Sequence, residues 1–154
     1  MKIRNGFVTN SSSSSFILAF DNKDDIRKCL EEAISPDRID ELHNEIMNAD
    51  ALSIDDAISI FKSNARWHVE SEIVRYKIRL IGNWRKAYEY VCTPEGKELV
   101  EKELSSMGNE LETKLSGKSF IVEVEHGDGG NGEDGYYEEN IPELSCCVAV
   151  MNNH

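Results

Sequence analysis

The residues best suited to chemistry lie near the C-terminal end of the chain, where Glu123, Glu125, His126 and Asp128 follow one another closely. Carboxylate oxygens suit a hard divalent cation, and an imidazole beside them binds a metal or moves a proton. The cluster therefore fits Mg or Ca binding and, with it, metal-dependent hydrolysis or small-molecule binding. Alternation along a strand puts Glu123 and Glu125 on one face and His126 on the other. The competing reading is a solvated strand face running into an acidic loop. That loop, Gly127 to Pro142, is rich in glycine, and Gly130 and Gly132 stand where an EF-hand needs its third and fifth ligands. Gly129 to Tyr136 matches one copy of a glycine-rich calcium repeat, a motif that works by stacking several copies.

A second candidate is the N-terminal serine tract, Ser11, Ser12, Ser13, Ser14 and Ser15, with Arg4 and Asn10 just before it. Short hydroxyl side chains and closely spaced N–H groups can hold an anion such as phosphate. They can equally satisfy their own backbone in local serine turns, and a serine-rich turn packed against the body is the expectation here. The four cysteines, Cys29, Cys92, Cys146 and Cys147, form no CxxC and no spaced Cys/His set. They read as buried, reduced thiols of a core.

Arg4-Asn5-Gly6-Phe7-Val8-Thr9-Asn10, the five serines and Phe16 together resemble an N-terminal signature, roughly RxGFVSNSSSSSF, of uncharacterised proteins from tailed bacteriophages and bacteria. Thr9 stands where that pattern shows Ser. The resemblance covers about the first twenty residues, and it implies a phage or mobile-element accessory protein acting in a bacterial host.

The elements that must position these residues follow from periodicity and caps. Phe16, Leu18 and Phe20 alternate on one face of a strand, Phe120 to Glu125 reads as a second and Cys146 to Met151 as a third. Between them lie helices. Asp24-Asp25, Ser35-Pro36 and Ser53-Ile54-Asp55-Asp56 open three short amphipathic ones. Thr93-Pro94 opens another, which ends at Gly117. The hard stretch is 66–91, where helical spacing outperforms strand alternation. Val69, Ile73, Tyr76, Leu80, Trp84, Ala87 and Val91 form one apolar stripe. Trp67, Val74, Ile78, Ile81 and Tyr88 form an adjacent one. A helix apolar over half its circumference is expected at the centre of a core, with Gly82 marking a kink or break. Strands at the two ends of the chain and helices between predict an α+β fold. The expected arrangement is a small, mostly antiparallel sheet of about three strands, with about five helices packed on one side. The Phe16, Leu18 and Phe20 face is expected to pack against the long central helix. Length predicts a single domain over 1–154.

Charge narrows the function. The formal net charge is −12, from 29 acidic and 17 basic residues, which argues against direct binding to nucleic acid. No apolar run reaches the ~20 residues that span a bilayer, and no apolar signal-peptide stretch follows the basic start. The chain is therefore expected to be cytoplasmic, with no membrane partner. No Ser-His-Asp elbow, P-loop or dinucleotide fingerprint occurs, so the sequence leans away from an enzyme. Its leading reading is a non-enzymatic protein that binds a host or viral protein. The alternative is a metal-dependent hydrolase or a binder of phosphate or another small molecule, using the acidic cluster at 123–128.

Overall fold

A computed structural model describes residues 13–127 and 135–152. Its regular elements are β1 (Ser13–Phe20), α1 (Ile26–Leu30), α2 (Pro36–Asn48), α3 (Ile54–Ile81), α4 (Trp84–Val91), α5 (Pro94–Leu115), β2 (Phe120–Gly127), α6 (Tyr136–Asn140) and β3 (Cys147–Asn152). The fold is α+β, with six helices and one three-stranded antiparallel sheet among the described residues. These residues divide at Ala57/Ile58 and at Thr113/Lys114 into two compact units.

In the first unit the sheet order is β2-β1-β3, so the N-terminal strand is central and pairs antiparallel on both sides. Phe16 lies opposite Val124 on one side and Val150 on the other. Pairing with β3 shifts between Ile17 and Leu18, which face Ala149 and Cys147, leaving Val148 as a bulge residue. Every residue from Ser14 to Phe20 is buried. Ser13, Ser14 and Ser15 are therefore strand residues, where a serine turn was expected. Their backbone groups are taken up by the sheet, so local side-chain turns have nothing to satisfy.

One face of the sheet carries Phe16, Leu18, Phe20, Phe120, Val122 and Val124. It packs on Ile26 and Leu30 of α1, Ile39, Leu42 and Ile46 of α2, and Tyr137, Ile141 and Leu144 from α6 and the turn after it. The two helices that follow β1 in sequence, together with the C-terminal segment, cover this face, and the expectation that the long central helix does so is corrected. Local connections explain the choice. Asn22 caps the turn after β1 by accepting from the Asp24 amide at 2.9 Å, and Pro36 at the first position starts α2. Each fully buried aliphatic or aromatic side chain contributes about 1.5–3 kcal/mol.

The second unit is helical. Ser53 starts α3 by accepting from the Asp56 amide at 3.0 Å, and the helix then runs 28 residues. The third expected short helix and the first part of 66–91 are thus one element. It ends where Gly82 takes a left-handed φ of 74°, a conformation glycine adopts without penalty. Asn83 caps α4, accepting from the Lys86 amide at 3.1 Å. After Val91, Thr93 accepts from the Gly96 amide at 3.1 Å and Pro94 begins α5. Buried Ala65, Val69, Ile73 and Val74 of α3, Ala87 and Val91 of α4, and Val100 and Leu104 of α5 make the core. No described helix is long and apolar enough to cross a membrane.

Candidate functional site

The acidic cluster is split by the strand. His126 is buried on the helix-covered face of β2, whereas Glu125 is exposed and Glu123 half-buried on the opposite face. Asp128 lies outside the described residues. Among the described residues, no group of three or more His, Cys, Asp or Glu side chains is arranged to hold a metal ion. His126 instead belongs to a polar layer that closes one end of the sheet. Its Nε2 is 2.8 Å from Glu45 Oε1, and its ring lies against Tyr137 at 4.7 Å between centroids. The Tyr137 hydroxyl donates to the Arg38 carbonyl at 3.2 Å. Burial, with the charges of Glu41 and Glu45 nearby, pushes that phenol up to about 12.

The serine tract meets this layer. Ser14 is the cross-strand neighbour of His126, and its hydroxyl donates to Glu138 of α6 at 2.8 Å. Tyr136 accepts from the Ser35 amide at 2.7 Å and stacks under the Arg38 guanidinium at 4.3 Å. These contacts tie β1, β2, α2 and α6 together. Ser14 and Ser15 are thus spent on structure, and Ser13 begins the strand. Arg4, Asn10, Ser11 and Ser12 lie outside the described residues.

The surface feature that sequence reasoning placed in a core is in the second unit. The stripe that buries Ala65, Val69 and Ile73 continues to Tyr76 and Leu80, which are 56% and 63% exposed. Trp84 is 63% exposed, and Trp67, Ile78, Ile81 and Tyr88 are exposed as well. The cause is a mismatch of helix lengths. α5 runs antiparallel to α3: the Lys62 side chain reaches Gly108, Arg66 pairs with Glu101 at 2.7 Å, and Tyr76 shares a groove with Leu99. α5 starts at Pro94, so α3 extends beyond it. The end of α3, where Leu80 and Ile81 are exposed, is followed after Gly82 and Asn83 by the eight-residue α4.

The result is a helical hairpin whose tip, Ile78 to Tyr88, presents Leu80, Ile81, Trp84 and Tyr88. Trp84 and Tyr88 meet edge to face at 6.4 Å. Below the tip an apolar groove of about 360 Å³ is lined by Val69, Ile73, Tyr76, Leu99 and Met107, with Glu72 and Glu103 at its margin. From Ile73 to Tyr88 the chain holds Arg75, Lys77, Arg79, Arg85 and Lys86 and no acidic residue. Lys77 stacks on Tyr90 at 4.0 Å, and Arg75 pairs back to Glu72. The signal that locates this surface in sequence is the conjunction of Gly82-Asn83 with the late start at Thr93-Pro94, which limits how much of α3 can be covered.

The chain matches no protein-family profile, and no curated protein or solved structure is significantly similar to it.

Proposed function

We propose that the chain is a protein-binding module whose contact surface is the tip of the α3–α4 hairpin, and that its partner presents an acidic, partly apolar surface. One observation carries the reading: an exposed set of Trp, Tyr, Leu and Ile, close together in sequence, within a basic segment of a strongly acidic chain. Aromatic residues are the usual anchors of protein interfaces, because each buries a large area at little entropic cost. The surrounding Arg and Lys give attraction to an acidic partner and raise the association rate. The resemblance of Arg4 to Phe16 to phage and bacterial proteins supports an accessory role in a phage or mobile element, with the partner supplied by host or virus.

The test is photo-crosslinking from position 88, with Leu80→Ser and Trp84→Ala as comparisons and circular dichroism to confirm folding. Expected is a crosslink to an acidic segment of one protein, with affinity falling about 30-fold, or ~2 kcal/mol, in Trp84→Ala. Crosslinking unchanged in both variants overturns the assignment. Co-sedimentation with anionic vesicles, lost in the same variants, replaces a protein partner with a lipid surface.

A further inference from the structure

In the first unit, a cleft of about 300 Å³ opens beside β1 and is lined by Asp21, Asp25, Lys28, Glu32, Lys118 and Ser145 around two thiols, Cys29 and Cys146. Both cysteines are free. They come from distant parts of the chain: Cys29 sits in α1, and Cys146 precedes β3, its carbonyl accepting from the Ala19 amide at 2.9 Å. Both thiols line this one cleft and belong to the same buried core cluster. Cys29 Sγ also lies 3.8 Å from Ser145 Oγ and 3.9 Å from Glu32 Oε1. Glu32 is held in turn, accepting from the Ser145 amide and hydroxyl, each at 2.9 Å. This framework fixes the segment carrying Cys146 against α1.

We infer that Cys29 and Cys146 form a peroxide-reactive dithiol, with Cys29 as the attacking sulfur and Cys146 as the resolving one. Three features support these roles. The pair lines an opening wide enough for a small hydroperoxide. Cys146 is buried in the same core cluster as Cys29 and directly follows Ser145, whose hydroxyl lies against the Cys29 sulfur. Interaction with Cys146 and the Ser145 hydroxyl lowers Cys29 to about 7 against desolvation and the Glu32 charge, while interaction with Cys29, and then burial, raises Cys146 strongly. Cys29 is therefore the more readily deprotonated of the two. The thiolate is the nucleophile in such chemistry.

The Cys29 sulfur attacks the O–O bond of the hydroperoxide and takes one oxygen, becoming a sulfenic acid. The peroxide is reduced by two electrons and departs as alcohol or water. Cys146 sulfur then attacks Cys29 sulfur, forming the disulfide, and the displaced hydroxide leaves as water with the Cys146 proton. Two thiols and one hydroperoxide give one disulfide, one alcohol and one water, and a dithiol reductant restores the pair. Neighbouring Cys147 is held protonated, pushed up to about 11 by burial, and Cys92 is exposed with no such partner among the described residues.

The experiment treats the full chain with limiting hydrogen peroxide at pH 7, quenches in acid, alkylates and maps the peptides. Expected is a Cys29–Cys146 linked peptide, with Cys92 and Cys147 still alkylated. In Cys146→Ser, dimedone is expected to trap a sulfenic acid on Cys29, and Cys29→Ser is expected to lose the fast phase of peroxide consumption. Alkylation of wild-type Cys29 is expected to be half-maximal near pH 7. First oxidation at Cys92, a Cys146–Cys147 disulfide, or unreacted Cys29 overturns the assignment, and wild-type mapping decides this even where a variant folds poorly.

Discussion

The two units use apolar side chains in opposite ways. In the sheet unit, β1 is sealed: Phe16, Ile17 and Leu18 have no exposed surface, and even Ser14 is turned to a partner inside. In the helical unit, the same types of residue stay in water along the outer third of α3 and all of the hairpin turn. An apolar residue is buried only where a second element reaches it. β1 has a strand on either side and helices across one face, whereas α3 outruns α5. Sequence hydrophobicity is therefore a statement about demand for cover, and topology decides whether the demand is met.

Paired substitutions break this comparison most sharply. Phe16→Ala in the sheet is expected to cost about 3–5 kcal/mol, the transfer loss plus a cavity that flanking strands cannot collapse into. Leu80→Ser at the tip, where the side chain is already 63% exposed, is expected to change stability by no more than about 0.5 kcal/mol. Urea unfolding followed by circular dichroism measures both. A cost above ~2 kcal/mol for Leu80→Ser would show that the tip is packed within the protein.

Much of the sheet was legible in the sequence. Phe16, Leu18 and Phe20 alternate in clean period two, as do Phe120, Val122 and Val124, and a strand with one buried face has its register fixed by that pattern. Caps were legible too, because Ser53, Thr93 and Pro94 act within one turn of their own position. The face assigned to His126 also follows from alternation alone. What could not be read was which helix covers which face. The stripe Val69, Ile73, Tyr76, Leu80 is uniform in type, and nothing local to it records that α5 begins too late to reach its last members. The Cys29–Cys146 pair was illegible for a related reason: two lone cysteines far apart in sequence carry no spacing signal, and only sheet pairing plus α1 packing brings them together.

Within the helical unit, two glycines sharpen the contrast between packed and open backbone. A Cβ on Gly96 would lie 2.1 Å from the Tyr90 carbonyl oxygen and 2.7 Å from the Val91 Cα, both backbone atoms that cannot step aside. Gly96→Ala must therefore move α5 away from the end of α4, at an expected cost of about 3 kcal/mol, more than the ~1 kcal/mol of helix propensity it gains. Gly82→Ala meets nothing within 4 Å, but φ is +74° there. Its expected cost is the left-handed penalty alone, about 1–2 kcal/mol. Thermal unfolding of the two variants side by side measures the difference, and equal losses would mean that close approach at Gly96 is relieved elsewhere.

The smallest effect expected is electrostatic and belongs to the sheet unit. Glu32 is held below its ordinary value of 4.5, first by the Ser145 amide and then by the Ser145 hydroxyl. A carboxylate whose folded value is depressed stabilises the fold above the unfolded value, and the contribution disappears as pH falls through the folded value. Because the group is solvent-exposed, screening keeps the contribution below ~1 kcal/mol. Glu32→Gln, which keeps the shape and can still accept one hydrogen bond, is therefore expected to be slightly less stable than wild type above about pH 5. The gap should close as pH drops below 4.5 and through the folded value. Unfolding midpoints in urea across that interval give the difference directly. A gap that stayed constant down to the most acid folded conditions would mean that the carboxylate contributes by packing against Ser145 and not by its charge. The framework that steadies Cys146 beside Cys29 would then rest on shape, and the reactivity of the pair should survive Glu32→Gln at every pH.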